Sequence, residues 1–276
     1  MLIDTHCHLD AEIYTESSIE LVQAARQKGV HYLVVPAVER ANFSAVQSLA
    51  HQHHEVTYAL GIHPLYVPQA TESDLHELAH HIEQSMADPQ FVAIGEIGLD
   101  FFVPELCTES MREKQVYFYD QQLKLAQQFN LPVLLHVRRS QDLILKYLRR
   151  YRGVTGIAHA FNGSLQQAHQ FIGLGFALGF GGAMTFTRAK QIRRLAAEVD
   201  LAHIVLETDA PDIAPAWLDP KTDQNQYNRP AELAAIAHVL ADLRQTDIHE
   251  LKAQTSHTAM RVLPRLSQWH QKHTGQ

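Results

Sequence analysis

Seven side chains able to do metal or acid–base chemistry recur at equivalent places along this sequence. His6 and His8 are separated by one residue in LIDTHCH. In an extended strand alternate side chains share a face, so the two imidazoles point the same way. Glu96 follows the apolar run that begins at Phe91, His136 follows LPVLL, His159 follows VTGIA, and Asp209 follows IVLET. His63 stands before Pro64 at the end of a further run. A polar group at the end of an apolar strand costs free energy unless it is paired or ligates something. One His-x-His pair among 19 histidines means little. Five strands that each offer a ligand type at the same end are much harder to assign to chance. Imidazoles mixed with carboxylates suit Zn²⁺, Mn²⁺, Fe²⁺, Co²⁺ or Ni²⁺, whereas all-oxygen sets suit Mg²⁺ and Ca²⁺. Six ligands exceed the need of one catalytic ion, which keeps an open position. Two ions sharing a carboxylate use them all, and ions ~3.5–4 Å apart clamp the attacking and leaving oxygens of a displacement at phosphorus.

Such convergence requires strands lying side by side with their ends aligned. Short apolar runs at 2–8, 30–38, 55–64, 91–100, 131–137, 154–161, 175–182 and 203–211 alternate with amphipathic stretches. In 17–28 the residues Ile19, Leu21, Val22 and Ala25 fall at near-helical spacing before a stop at Gly29. The stretch 112–129 repeats the pattern with Val116, Tyr119, Leu123 and Ala126, and 231–243 begins just after Pro230. Eight units over 276 residues average about 34 residues, the size of one βα unit. The expectation is an α/β fold, a TIM-like (β/α)8 barrel formed as one domain over 1–276. Extra helices follow from about residue 246, and the active groups sit at the C-terminal strand ends. An open doubly wound sheet competes, but it favours a Gly-rich phosphate loop where this chain reads THCHLD. The polar, aperiodic segment 212–229 reads as a long functional loop.

Composition narrows the function classes. The net charge of −7 argues against a generic basic coat for nucleic acid, although bound metal can supply local positive charge. Two cysteines, Cys7 and Cys107, fit a reducing cytoplasm rather than a disulfide framework. No signal-peptide pattern opens the sequence, and no run approaches the ~20 apolar residues that span a bilayer. There is no GxxxxGKS loop for ATP and no GxSxG elbow for serine esterase chemistry.

Taken in order, IDTHCHLD (3–10), GIHP (61–64), GEIGLD (95–100), LPVLLHVRRS (131–140), HAFNGS (159–164) and LETDAP (206–211) resemble the TatD family of metal-dependent hydrolases and deoxyribonucleases, within the amidohydrolase-like superfamily. The motifs cover nearly the whole chain. The resemblance implies a distorted barrel and a two-metal deoxyribonuclease cutting phosphodiesters from single strands or ends, in the 3′–5′ direction. It implies one ion on His6, His8 and Asp209, a second on His136 and His159, and Glu96 bridging them. His63 would contact the scissile phosphate. Mg²⁺, Mn²⁺ and Zn²⁺ are the candidate ions, and DNA or RNA the macromolecule bound, with no membrane and no obligate protein partner. The chain departs from many members after GLD, reading Phe101, Phe102, Val103 and Pro104 with no basic residue until Arg112. The alternative is an amidohydrolase or esterase on a small molecule or an aminoacyl-tRNA ester. Many amidohydrolases place a carboxylated lysine where this chain has Glu96, which favours the nuclease.

The remaining residues have plainer roles. Asp209 serves as ligand, proton acceptor or both. Glu207 faces the same way and is expected to support a ligand. Arg138 and Arg229 are the candidate substrate contacts, with Arg139, Arg188 and Lys190 on the same side. Alternation turns Cys7 away from the ligands, and Cys107 reads as a loop thiol. His51, His53, His54, His76, His80 and His81 read as surface residues. Glycine at 179–182 admits either a phosphate or close packing.

Overall fold

In the structure, a computed structural model describing residues 1–218 and 227–274, eight parallel strands follow one another in chain order around a nearly closed barrel. They are β1 (Leu2–Asp4), β2 (Val30–Pro36), β3 (Val56–Leu60), β4 (Phe91–Asp100), β5 (Val133–Arg138), β6 (Gly156–Ala158), β7 (Phe176–Phe180) and β8 (Ile204–Leu206). Between them run α1 (Ser18–Gln27), α2 (Phe43–Gln52), α3 (Glu72–Ser85), α4 (Glu109–Phe129), α5 (Gln141–Leu148), α6 (Leu165–Gly173) and α7 (Lys190–Glu198). Three helices follow β8: α8 (Leu233–Arg244), α9 (Ile248–Val262) and α10 (Pro264–Thr274). No helix among the described residues is long and apolar enough to cross a membrane.

Local sequence explains the element ends. Ser17 accepts from the Glu20 backbone N–H while the Glu20 carboxylate accepts from Ser17, a capping box that starts α1. Thr108 caps α4, which ends at Asn130 in left-handed backbone. Alternation along the strands sorts side chains into two cores. One lines the barrel interior with Ile3, Tyr32, Val34, Val92, Leu134, Ile157 and Val205, and Val262, Leu263 and Leu266 from α9 and α10 pack against it. The second lies between strands and surrounding helices and contains Leu33, Val35, Leu135 and Phe118. Cys7 belongs to this outer layer, as alternation predicts.

One sequence expectation changes. The runs 2–8, 154–161 and 203–211 overshoot: β1, β6 and β8 are three residues each. His6, His8, His159 and Asp209 therefore lie just beyond strand ends, on backbone still tied to its neighbours. The Cys7 N–H donates to the Val34 carbonyl at 3.1 Å and the His159 N–H to the Leu135 carbonyl at 3.0 Å. The described part of 212–229 is the irregular segment expected, and it is anchored from within. Asn228 is buried, and its Nδ2 donates to the Thr208 and Asp212 carbonyls at 2.8 and 2.9 Å. Residues 219–226 of that segment fall outside the described residues.

No regular ladder joins β1 to β8; individual bonds close the seam. Thr5 N–H donates to the Leu206 carbonyl at 3.1 Å, Asp209 N–H to the His6 carbonyl at 2.9 Å, and His8 N–H to the Ala210 carbonyl at 2.7 Å. Beneath them the fully buried Asp4 accepts the Thr208 N–H at 2.9 Å and its hydroxyl at 2.6 Å. Asp4→Ala strands both Thr208 donors in a dry site, which costs about 1–3 kcal/mol. A urea titration should show the midpoint falling accordingly, and an unchanged midpoint would mean the seam contributes nothing.

Candidate metal centre

At the C-terminal mouth of the barrel the Glu96 carboxylate sits among five imidazoles. Its Oε2 is 3.1 Å from His6 Nε2 and 3.8 Å from His8 Nε2. Its Oε1 is 3.1 Å from His136 Nδ1, 3.5 Å from His63 Nε2 and 3.8 Å from His159 Nε2. Asp209 Oδ1 stands 3.7 Å from both His6 and His8 Nε2 and 3.8 Å from His159 Nε2. A tetrahedral ion with bonds of about 2.1 Å holds its ligand atoms about 3.4 Å apart, so the separations suit shared coordination. Three overlapping sets qualify as metal sites: His6, His8 and Asp209; His6, Glu96 and His159; His63, Glu96 and His136. All six expected ligands are thus together. One grouping differs from that implied by the family resemblance: His159 stacks on His6 at 3.9 Å between ring centroids, against 6.4 Å to His136.

Hydrogen bonds on the far side of the His159, His136 and His63 rings decide which nitrogen of each faces the centre with a lone pair or a proton. His159 Nδ1 meets Glu207 Oε1 at 3.1 Å, and that oxygen also accepts the Ala160 N–H at 2.5 Å. His136 Nε2 meets Asp100 Oδ2 at 3.0 Å. Each carboxylate accepts a hydrogen bond from the ring N–H it faces, so His159 Nε2 and His136 Nδ1 are the nitrogens that would turn to a bound cation, on loss of any proton they carry without it. His63 is bound the opposite way: its Nδ1 accepts the Leu65 N–H at 3.1 Å, which puts the ring proton on Nε2, toward Glu96. In this tautomer His63 donates a hydrogen bond and offers no lone pair to a cation. That fits the substrate contact expected of it and sets it apart from the six ligands.

Asp100 escaped the sequence reading, although Glu96 and Asp100 fall four residues apart on one strand, both at positions of the same parity. Its role depends on β5 lying alongside, which Gly98 allows. Gly98 has φ +147, and a Cβ there would overlap the His136 carbonyl. Gly179 has a similar purpose on β7, because a Cβ would overlap the Glu207 carboxylate. Packing room is therefore what glycine provides at that strand end. Asp209, Ala160 and Arg139 adopt left-handed backbone at φ 57, 43 and 55, a costly choice concentrated where three strands turn into the mouth.

Burial and mutual charge set the protonation states. Burial pulls His6 down to about 3, assisted by His159. Burial likewise lowers His63 to about 4 against the pull of Glu96, so this ring is neutral. His159 is opposed by burial but is raised to about 10 by Glu207 and Asp209. Burial pushes Asp209 up to about 6 despite His159 and His8. For Glu96 burial is outweighed by His63, His6 and His136, and its carboxyl lies well below the usual range.

The arginines divide. Arg138 and Arg139 place their guanidiniums 3.9 and 4.6 Å from the centroid of Phe102 at this mouth. Arg229 is committed elsewhere: Nε donates to Glu16 Oε1 at 2.6 Å, Nη1 to the Tyr227 carbonyl at 3.1 Å, and the guanidinium packs on the Tyr227 ring. It braces the segment after β1 against the segment after β8. Arg188 packs over Phe186. His51 pairs with Asp88, His54 with Glu55 and His53 with Ser18, and His76, His80 and His81 lie on α3, all away from the mouth. The Cys107 thiol faces the Val103 carbonyl.

A parallel barrel whose mouth gathers imidazoles around a shared carboxylate defines the class of metal-dependent hydrolases. The chain belongs to the TatD family: the profile described as TatD related DNase matches residues 3–264. It is 39% identical over 250 residues to the uncharacterized metal-dependent hydrolase YjjV of Escherichia coli K12, covering 90% of this chain and 92% of that one. It is 30% identical to the uncharacterized metal-dependent hydrolase YabD of Bacillus subtilis, covering 95% and 98%. The crystal structure of YjjV superposes with a TM-score of 0.87 at 36% identity, covering 95% and 98%. A TatD family hydrolase from Entamoeba histolytica, 20% identical, shares the fold with a TM-score of 0.81, covering 95% and 97%.

Glu207→Gln tests the outer carboxylate. It keeps the shape but weakens the acceptor for His159, so metal affinity should fall about 10–100-fold in chelator competition. Unchanged affinity would make Glu207 a packing residue only.

Proposed function

We propose that this chain is a phosphodiesterase that holds two divalent ions about Glu96 and removes nucleotides from single-stranded DNA or DNA ends, working 3′ to 5′. RNA is a substrate of the same chemistry. The observation that carries this reading is the division of Glu96: Oε2 faces His6 and His8 while Oε1 faces His136, His63 and His159. One ion would be held by His6, His8 and Asp209 and the other by His136, with Glu96 shared between them; His159, which stacks on His6 and stands 3.8 Å from both Glu96 and Asp209, is within reach of either. Bound there, Mg²⁺, Mn²⁺ or Zn²⁺ supplies Lewis acidity toward a phosphoryl oxygen and lowers the pKa of water.

The chain's own groups do the rest. Asp209 holds a carboxylate at the mouth and accepts the proton of the attacking water. His63 donates a hydrogen bond from its Nε2–H to a non-bridging phosphoryl oxygen, where charge builds in the transition state. Because burial keeps this ring neutral, it works as a fixed hydrogen-bond donor rather than as an acid. Glu207 and Asp100 fix the ligating rings, and Arg138 holds the backbone beside the cleaved bond. We take 1–276 as one catalytic domain, acting without an obligate protein partner. The two free thiols support the cytoplasm as its compartment.

End-labelled single-stranded DNA, incubated with metal-stripped protein and single ions added back, should be cut to a ladder. Asp209→Asn should reduce cleavage at least about 100-fold. Absence of cleavage with every ion, by protein shown to bind two ions, would refute the nuclease and leave carbonyl esters.

Two substitutions separate the roles. Glu96→Ala should lower the bound-ion stoichiometry in elemental analysis, and unchanged stoichiometry would contradict bridging. His63→Ala should keep its ions but lose about 10²–10³ in kcat; loss of an ion instead would make His63 a ligand.

A further inference from the structure

The two rims of the mouth differ in charge and in what they expose. On one rim burial raises the Tyr66 hydroxyl pKa, and the carboxylates of Glu39, Asp10 and Asp212 add to the rise. On the other, after β4 and β5, Phe101 and Phe102 stand with three arginines. Arg112 packs over Phe101 at 4.4 Å, and Arg138 and Arg139 pack over Phe102. Phe102 is 44% exposed, unusual for a ring beside a buried polar centre. It is also held in register with that centre. The Phe102 N–H donates to Asp100 Oδ1 at 2.8 Å, and Asp100 Oδ2 meets His136 Nε2 at 3.0 Å. One carboxylate thus ties both a candidate metal ligand and the backbone of an exposed aromatic residue.

A polyanion crossing this mouth is repelled by the first rim and attracted to the second, in a protein whose net charge of −7 offers no general attraction. An exposed ring flanked by guanidiniums suits an unpaired nucleotide, whose base stacks on the π and guanidinium planes while its phosphate meets the second arginine. Bases within a duplex are already stacked on their neighbours and cannot take this position.

We infer that Phe102, Arg138 and Arg139 form a stacking subsite for one unpaired nucleotide adjoining the cleaved phosphodiester. The inference rests on the phosphodiesterase reading and adds to it a specificity-determining residue, Phe102.

The test compares an oligothymidylate with bis(p-nitrophenyl) phosphate, a diester lacking any base, on the metal-loaded protein. For Phe102→Ala the ratio of kcat/KM for the oligonucleotide to that for the small diester should fall about tenfold, mainly through KM. Phe102→Trp should restore the ratio, which a loss of folding would not allow. Arg138→Gln with Arg139→Gln should flatten the slope of log affinity against log salt by about two in Asp209→Asn protein. A Phe102→Ala ratio equal to that of the unaltered protein overturns the subsite while leaving the nuclease intact. Failure of the unaltered protein to cut either diester overturns the nuclease reading and the subsite with it.

Discussion

A carboxylate buried within a β-strand must be compensated, and Glu96, inside β4, is compensated from every side. Its charge is retained only because imidazoles from β5 and from the segments after β1, β3 and β6 reach its two oxygens. Most other features of the mouth follow from that requirement. Strand ends must converge to within a few ångströms, so the barrel must close even where β1 and β8 form no ladder. Asp4, Thr208 and the backbone bonds of His6 and His8 achieve this closure. His6 and Asp209 are thereby joined through their own backbone, with their side chains 3.7 Å apart. The bonds that close the barrel also assemble the ligands.

The candidate ligands were legible in the sequence because a polar residue after an apolar run is visible without knowing the fold. Strand length was less legible. Backbone past Asp4 stays largely buried and hydrogen-bonded to its neighbours, so composition cannot separate β1 from the segment that carries His6 and His8. Asp100 was hidden because its meaning depends on His136, which lies 36 residues away and is adjacent only through the β4–β5 register. Arg229 looked available from the sequence, yet its partner Glu16 lies 213 residues away and engages it. The role of Gly179 was likewise invisible, since the group that fills its space is Glu207 on another strand.

Two outer carboxylates do similar work with different consequences. Glu207 is fully enclosed and holds His159 together with the Ala160 amide, a purely internal arrangement. Asp100 holds His136 with one oxygen, while the other accepts the Phe102 and Val103 amides of the segment leading to α4. The first isolates a ligand from the surface, and the second connects one to it. A change in the segment after β4 therefore reaches the centre through a single residue, whereas changes after β8 are buffered by the Asn228 and Arg229 contacts.

That asymmetry bears on how one barrel serves different substrates. A ligand ring fixed by a buried carboxylate is insensitive to loop sequence, so the chemistry of the centre can persist while loops vary. Here the loop after β4 is not independent, because Asp100 couples its first residues to His136. A replacement that moves the backbone at 102–103 alters the acceptor geometry at Asp100 and with it the orientation of the imidazole. Substrate preference on this rim can then change only within the limits that keep His136 Nδ1 aimed at Glu96. The opposite rim, where Asp10 bonds to Asn42 rather than to a ligand ring, carries no such restriction.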